Sequence, residues 1–433
     1  MASERNVARA LARAFLAGDW SKAGMTRRGE DLLGGWKWIR AVAKRVTARF
    51  TGKRPGWREL SEFIQPFLRP HGVAAMDLGG PMLPARNAPA AGKLPPLESA
   101  SDLAFWLGLR VEELEWFADC RRGERRSPQG PLRHYRYRWI IKRKNNWRLL
   151  EIPKPRLKEI QRIVLKEILD RIPPHSAAHG FRVGRSVKTF AEPHAGQAVV
   201  ARLDLRNFFP SVQVAKAFAM FRTVGYPEPV ARLLTGLCVN EVPPDVWEGA
   251  PEGIRSLDSW HARRWESPHL PQGAPTSPAL ANLCVVSLDR RLAALANSLD
   301  ATYTRYADDL AFSGGDALAR AAGRVVKSVT TIARKEGFRI HAEKTRIMRR
   351  GGRQRLAGVV VNAHPNLPRD EYDRLKALLF NCVRRGPESQ NRANHPDFRA
   401  FLAGKTAHAA LLNEARARKL WTLFEQINWN KQI

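Results

Sequence analysis

Three segments of this 433-residue chain gather the side chains that phosphate chemistry needs. Asp204 is the next-to-last residue of the run AVVARLDL, Asp308 and Asp309 stand together in TYTRYADDLAFS, and Gln272-Gly273-Ala274-Pro275-Thr276-Ser277-Pro278 lies between them. Carboxylates brought together from two strands repel one another unless a cation compensates them or a pKa rises. Two divalent ions about 3.5 to 4 Å apart meet that need, one activating an attacking hydroxyl and the other stabilising the leaving oxygen of an in-line phosphoryl transfer. Mg²⁺ suits such a place, because it takes oxygen ligands and admits substrate phosphates into its shell. Asp204 and Asp308 are the expected direct ligands. Taken singly each piece says little, since an Asp pair at a turn is ordinarily only a turn.

The elements that must carry these residues follow from periodicity. Residues 198 to 205 form a strand that ends in Asp204, and residues 302 to 313 form two strands joined by a tight turn at Ala307 and Asp308. Residues 277 to 297 are expected as one helix with Ser277 as N-cap, Pro278 at the first helical position, and Leu280, Leu283, Cys284, Leu288 and Leu292 as its apolar stripe. Upstream, Tyr135, Tyr137, Trp139 and Ile141 alternate with Arg136, Arg138, Ile140 and Lys142; Lys144 to Asn146 supply a turn, and Trp147 to Ile152 return. The result is a basic β-hairpin. After Pro153 and Pro155, Ile160, Val164 and Ile168 share one face of a helix and Lys158, Arg162 and Lys166 another. Residues 1 to 70 read as helices, residues 71 to 97 as a Pro/Gly/Ala-rich linker, and SDLAFWLGLRVEELEWFADC as two short helices hinged at Gly108. The tail shows helical spacing at Tyr372, Leu375, Leu379 and Cys382, then a second helix near 406 to 428.

Charge narrows the partner. There are 73 Lys plus Arg against 41 Asp plus Glu, a formal charge of +32, so a large polyanion is expected. Residues 131 to 172 hold 13 basic and 4 acidic residues, and residues 339 to 355 hold 7 basic residues and only Glu343. Both look like phosphate-facing surfaces, although any one charge run can be a solvated face. No run approaches the roughly 20 apolar residues of a membrane span, and no secretory signal is visible. Cys120, Cys238, Cys284 and Cys382 lie far apart without a CxxC pair, which excludes a zinc finger and fits a reducing cytoplasm, each thiol serving as a small buried hydrophobe.

In order, LDLRNFFPSV, LPQGAPTSPALANL, YTRYADDLAFS, GFRIHAEKTRI and RQRLAGVVVN resemble the successive motifs of reverse transcriptases, and among these the bacterial retron type. The resemblance covers roughly residues 100 to 433. It implies an α+β fold: a right-hand polymerase with an antiparallel palm sheet, basic fingers, a helical thumb and a helical N-terminal extension. The extension and linker would take residues 1–97, a small helical unit and fingers 98–200, the palm 201–365 with an inserted fingers segment about 213–270, and the thumb 366–433.

Carried over onto matching positions, the resemblance makes Asp204 and Asp308 the holders of two Mg²⁺ ions, with Asp309 supporting the second and the Leu205 backbone facing nucleotide and metal. Phe209 would pack against the sugar and exclude a 2′-hydroxyl, its neighbour Phe208 being the better candidate for ordinary core. Gln272 and Gly273 would lie on the nascent pair, Tyr306 beside the substrate, and Lys344 near the leaving pyrophosphate. Arg148 would clamp the triphosphate, assisted by Lys142 or Lys144. The implied partners are a structured non-coding RNA serving as template and primer, dNTPs and an RNA–DNA hybrid product, with an effector protein as a further expectation. No RNase H-like acidic cluster is recognisable, so template removal would fall to a separate host enzyme.

Two segments depart from the retron pattern. Asn-Ala-x-x-His reads Phe190-Ala191-Glu192-Pro193-His194, and Val-Thr-Gly reads Leu356-Ala357-Gly358. A satisfied loop histidine is an equal account of His194. An intron-encoded or abortive-infection reverse transcriptase therefore stays open as an alternative, as does an idle RNA-binding protein on the same fold. Against the first, no maturase-like or HNH-like region follows the thumb; against the second, a pure binder gains nothing from three carboxylates beside phosphates.

Overall fold

The computed structural model describes residues 4–33, 37–52, 54–68, 94–141, 147–251 and 264–429. In chain order the elements used below are α1 (Glu4–Leu16), α2 (Lys22–Leu33), α3 (Lys37–Arg49), α4 (Trp57–Ile64), α5 (Ala100–Trp106), α6 (Val111–Ala118), β1 (Tyr135–Ile141), β2 (Trp147–Pro153), α7 (Pro155–Glu167), α8 (Val187–Ala191) and β3 (Val199–Asp204). There follow α9 (Phe208–Ser211), α10 (Val214–Thr223), α11 (Glu228–Cys238), α12 (Ser277–Cys284), α13 (Val286–Asn297), β4 (Thr302–Tyr306), β5 (Asp309–Gly314), α14 (Asp316–Lys335), β6 (Arg346–Arg349), β7 (Arg355–Leu356) and β8 (Val359–Val360). The last three helices are α15 (Arg369–Arg385), α16 (Phe398–Leu412) and α17 (Glu414–Glu425). Mixed helix and antiparallel sheet make the fold α+β, as expected.

The chain divides into two compact units, Met1–Pro174 with Phe209–Cys284, and His175–Phe208 with Val285–Ile433. In the first, α1 to α4 close around their own core of Val7, Leu11, Phe15, Met25, Ile39, Val42, Val46, Leu60 and Ile64. Arg28 is buried inside this bundle, its guanidinium donating to the Ala14, Phe15 and Asp19 carbonyls and so satisfying acceptors around the end of α1. The hinge at Gly108 is present between α5 and α6, with φ +66°. β1 and β2 pair antiparallel as the expected hairpin, Tyr135 opposite Pro153 through Ile141 opposite Trp147. On α7, Ile160 and Val164 are buried, while Arg162 and Lys166 of the basic stripe are exposed.

In the second unit, four antiparallel strands stand in the order β4-β5-β3-β6. One face carries Val200 and Ala311 and packs on Phe190, Leu356, Val359, Val361 and Leu412. The other carries Tyr303, Leu310 and Phe312, with α13 reaching β4 and α14 reaching β3 and β5. The C-terminal helices share a core of Leu375, Leu379, Cys382, Leu402, Ala417, Leu420 and Phe424.

Local expectations fail at several places for identifiable reasons. The helix expected over 277 to 297 is broken at Val285 (φ −104°, ψ 14°), where two adjacent β-branched residues give a helix little support. Ser277 is not an N-cap side chain; its hydroxyl donates to the Pro271 carbonyl at 2.7 Å and ties down the preceding loop. The single helix expected near 406 to 428 is two, because Asn413 ends α16 and caps α17 by accepting from Arg416 N at 3.1 Å. Cys120 is exposed rather than buried, unlike Cys238 and Cys382. The expected linker falls almost wholly outside the described residues, as do Lys142 and Lys144.

Candidate active site

The three carboxylates meet at one end of the four-stranded sheet. In the register of β3 against β5, Asp204 lies directly opposite Asp309, so the last residue of one strand faces the first of the other. Asp308 sits in the intervening β4–β5 turn, and its carbonyl accepts from Leu205 N at 2.9 Å. The backbone of β3 continues past Asp204: His341 N donates to the Asp204 carbonyl at 2.7 Å and Leu205 bridges to Ile340. That connection delivers the short turn Ala342–Lys344 to the same place.

Cations hold Asp204 and Asp309. Lys344 Nζ lies 3.0 Å from both Asp204 oxygens, on a side chain that keeps 47% of its exposure. Arg202, two residues before Asp204 and on its face of β3, holds Asp309 Oδ1 at 2.8 Å through Nε and 2.7 Å through Nη2. Burial pushes the Asp309 carboxyl up to about 6, Arg202 opposes the rise, and the charges of Asp308 and Asp204 add to it. The charges of Asp308 and Asp204 act on Asp309, a repulsion that a hard divalent ion relieves, and the donors are all oxygen, so the residues fit Mg²⁺. Among the described residues, however, no three acidic, His or Cys side chains already stand in a metal-holding arrangement. Lys344, half exposed on a flexible stem, is the group whose movement would open Asp204.

The turn that carries Asp308 is strained and clamped from both faces of the sheet. Ala307 has φ +55°, a left-handed conformation costing a non-glycine residue roughly 1 kcal/mol. Gly180 lies so close that a Cβ there would stand 2.7 Å from Ala307 N. On the face of Tyr303, the fully buried Arg305 grips Asp289 of α13 through Nε (2.8 Å) and Nη2 (2.7 Å), and its Nη1 donates to the Ala307 carbonyl at 3.1 Å. Tyr303 completes the group by donating to Asp289 Oδ1 at 2.8 Å. On the opposite face, His194 is fully buried and hydrogen-bonds Ser313 and Thr304, both at 2.7 Å, bridging β5 and β4. Burial lowers the His194 pKa to about 3, which keeps the imidazole neutral. His194 is therefore a satisfied histidine, and it braces the hairpin of β4 and β5.

The remaining expected residues are distributed as follows. Tyr306 is half-buried, with its ring 5.6 Å from Phe190 in the core on the Val200 face. Phe208 is core, packed 6.0 Å from Phe338, whereas Phe209 stays partly exposed and opens the next stretch of the first unit. In that unit, Arg148 on β2 opposes Ile140, and its buried Nε has no hydrogen-bond partner. The Gln272 loop is fastened to β2: Glu151 N donates to the Gln272 carbonyl at 3.0 Å, and Gln272 N donates to Glu151 Oε1 at 3.3 Å. Gly273 must be glycine, since a Cβ would meet the Glu151 carbonyl at 2.7 Å.

Sequence reasoning missed the residues that do the fastening. Glu151 is fully buried and accepts from Asn240 Nδ2 (2.8 Å) and His269 Nε2 (3.0 Å). Burial alone would depress His269, but the Glu151 charge and hydrogen bond outweigh it and raise the His269 pKa. The available signal was a lone acid in each case: Glu151 in a basic hairpin, and Asp289 beside the apolar stripe of α13.

Residues 140–378 match the family model for reverse transcriptase (RNA-dependent DNA polymerase). The chain is 40% identical over 380 residues to the retron Mx65 reverse transcriptase of Myxococcus xanthus, a match covering 86% of this chain and 82% of that protein. This chain belongs to the retron reverse transcriptases. Identity to the retron Mx162 reverse transcriptase of the same organism is 37% over 342 residues (76% of this chain, 67% of the relative). To the retron Ec86 reverse transcriptase of Escherichia coli it is 31% over 255 residues (57% and 70%). The retron reverse transcriptase is an RNA-directed DNA polymerase, and the departures at Phe190 and Ala357 do not remove it from this type. Phe190 instead fills the core under Tyr306. Among the described residues no helix is long and apolar enough to cross a membrane.

Proposed function

We propose that this reverse transcriptase extends a primer on a structured non-coding RNA by two-metal phosphoryl transfer, and that its product is a small single-stranded DNA branched from that RNA. The observation that carries the chemistry is the cross-strand pairing of Asp204 with Asp309 beside the clamped turn of Asp308. Two Mg²⁺ ions, when bound, would supply neutralisation of the triphosphate and activation of the primer hydroxyl. Asp204, Asp308 and the Leu205 backbone would hold them, and Asp309 would support the second. Lys344, which holds Asp204, would meet the charge that develops on the leaving pyrophosphate. Arg148 is suited to the triphosphate, because its buried Nε lacks an acceptor and a guanidinium offers phosphate a planar set of donors. Phe209 is the candidate sugar gate, with Gln272, Gly273 and Tyr306 along the nascent pair.

On this proposal the four-stranded sheet is the palm, the β1–β2 hairpin and α7 belong to the fingers, and α15 to α17 form the thumb. A role in defence against phage, an effector partner and removal of template by a separate host RNase H follow from kinship with retrons alone. The test is dNTP incorporation on a primed RNA template with Mg²⁺. Asp308→Asn should lower the rate by at least about 10²-fold while RNA affinity persists, and an undiminished rate would remove Asp308 from the chemistry. In the same assay Phe209→Val should admit rNTPs; unchanged sugar selectivity would end the gate assignment.

A further inference from the structure

The N-terminal bundle has a face that polymerisation chemistry does not use. Helix α3, KWIRAVAKRVTAR, contains no acidic residue. Its Trp38, Ile39, Val42, Ala43 and Val46 are buried in the bundle core. All that remains exposed along it is Lys37, Arg40, Ala41, Lys44, Arg45, Ala48 and Arg49. Five cations thus line one strip of helix about 18 Å long, separated only by alanines. Among the described residues none of the five enters an ion pair, whereas α2 and α4 carry the acids Glu30, Asp31, Glu59 and Glu62. Arg40 with Lys44 and Arg45 with Arg49 are like charges at i,i+4, an arrangement that disfavours a helix by a few tenths of a kcal/mol per pair. Two guanidiniums are also held in place by rings: Arg45 lies 4.6 Å over Phe67 and Arg49 lies 5.7 Å over Phe50.

We infer that the exposed face of α3 binds the phosphate backbone of a duplex stem in the RNA that this enzyme copies. The inference rests on the RNA-directed polymerase assignment for the identity of the polyanion and on α3 for the surface. A protein partner would want an apolar or aromatic anchor at the centre of the patch, and alanines offer none. A membrane surface would need the apolar side of the helix, and that side is buried in the bundle core. A strip of evenly spaced cations with partly pre-ordered guanidiniums suits phosphates, which it would follow without reading sequence.

The test uses the full-length protein and a fluorescein-labelled RNA hairpin with a stem of about 20 base pairs, enough to cover the roughly 18 Å strip. Binding is measured across a salt series. Replacing Lys37, Arg40, Lys44, Arg45 and Arg49 by Gln should reduce the slope of log K against log salt by about 2 to 4, at about 0.9 for each phosphate no longer neutralised, and weaken binding at least about tenfold near 0.1 M salt. An unchanged slope would make α3 a merely solvated face and overturn the inference. The charge-keeping variant Arg40→Lys, Arg45→Lys, Arg49→Lys should retain the wild-type slope; an equal fall in both variants would trace to packing and also overturn it. So would a five-Gln protein that keeps RNA affinity but loses binding to phosphatidylserine vesicles. Wild-type dNTP incorporation on a short primed RNA is read in parallel, since its absence would strike at the polymerase assignment and leave the slope untouched.

Discussion

At the Asp204 end of the sheet three cations each hold an acid, and among the described residues none of the five on α3 does. Lys344 spans Asp204, Arg202 takes Asp309, and Arg305 is locked on Asp289 away from solvent. Five cations on α3 face outward over a core that is otherwise well packed. The same residue types therefore do two kinds of work. Paired, they set where a carboxylate or a turn sits, and the fully buried Arg305 is the costly one to disturb; exposed and unpaired, they add little to folding and offer affinity to something outside the chain.

Three measurements would break or sharpen that contrast. The largest effect is expected at the buried pair. Asp289→Ala strands the Arg305 charge and removes the acceptor of Tyr303, so unfolding should become easier by about 3 to 5 kcal/mol in denaturant titration. Replacing both partners by apolar residues (Asp289→Leu with Arg305→Met) should recover much of that stability while leaving incorporation impaired, because the Ala307 carbonyl loses its donor. Full activity in the double variant would show that the clamp does not position the turn.

Next is acid sensitivity at His194. Its pKa is about 3 in the fold against an ordinary 6.5, so below pH 6.5 the unfolded chain takes up a proton that the folded one refuses. The contribution is intact above pH 6.5 and lost as pH falls toward 3, amounting to about 2 kcal/mol near about pH 5. His194→Gln should flatten stability across this range, and an unchanged acid limb would assign the sensitivity to other groups. Smallest is the surface. Ala41→Glu sets an acid four residues from both Lys37 and Arg45 and should raise stability by about 0.3 to 0.8 kcal/mol, measured as a slightly higher melting temperature, while lowering the salt slope for RNA. A melting temperature that falls would show that the α3 cations are not in mutual repulsion.

Much of this was legible before any coordinates. The strand ending at Asp204, the hairpin turn at Ala307 and Asp308, and the basic hairpin of β1 and β2 all depend on period-2 patterning and turn residues, which act over a few neighbours. Helix boundaries were less legible where a cap or a β-branched pair decided them, as at Asn413 and Val285. The split of Phe208 into core and Phe209 into partial exposure could be anticipated only because two adjacent residues on one short helix cannot face the same way.

The amino-acid order alone thus determined which carboxylates belong together, the strands that present them, and the strongly basic character of the chain. Only tertiary structure decided what holds them. Arg305 finds Asp289 across 16 residues, His194 finds Ser313 across 119, and Lys344 finds Asp204 across 140. Such pairings leave no periodic trace in a sequence, because they are set by how sheet faces and helices pack and not by the spacing of residues along either one. The solvent strip on α3 belongs to the same class. Its cations are plain in the sequence, but their outward exposure, with no ion pair among the described residues, appears only once the bundle has buried the other side of the helix.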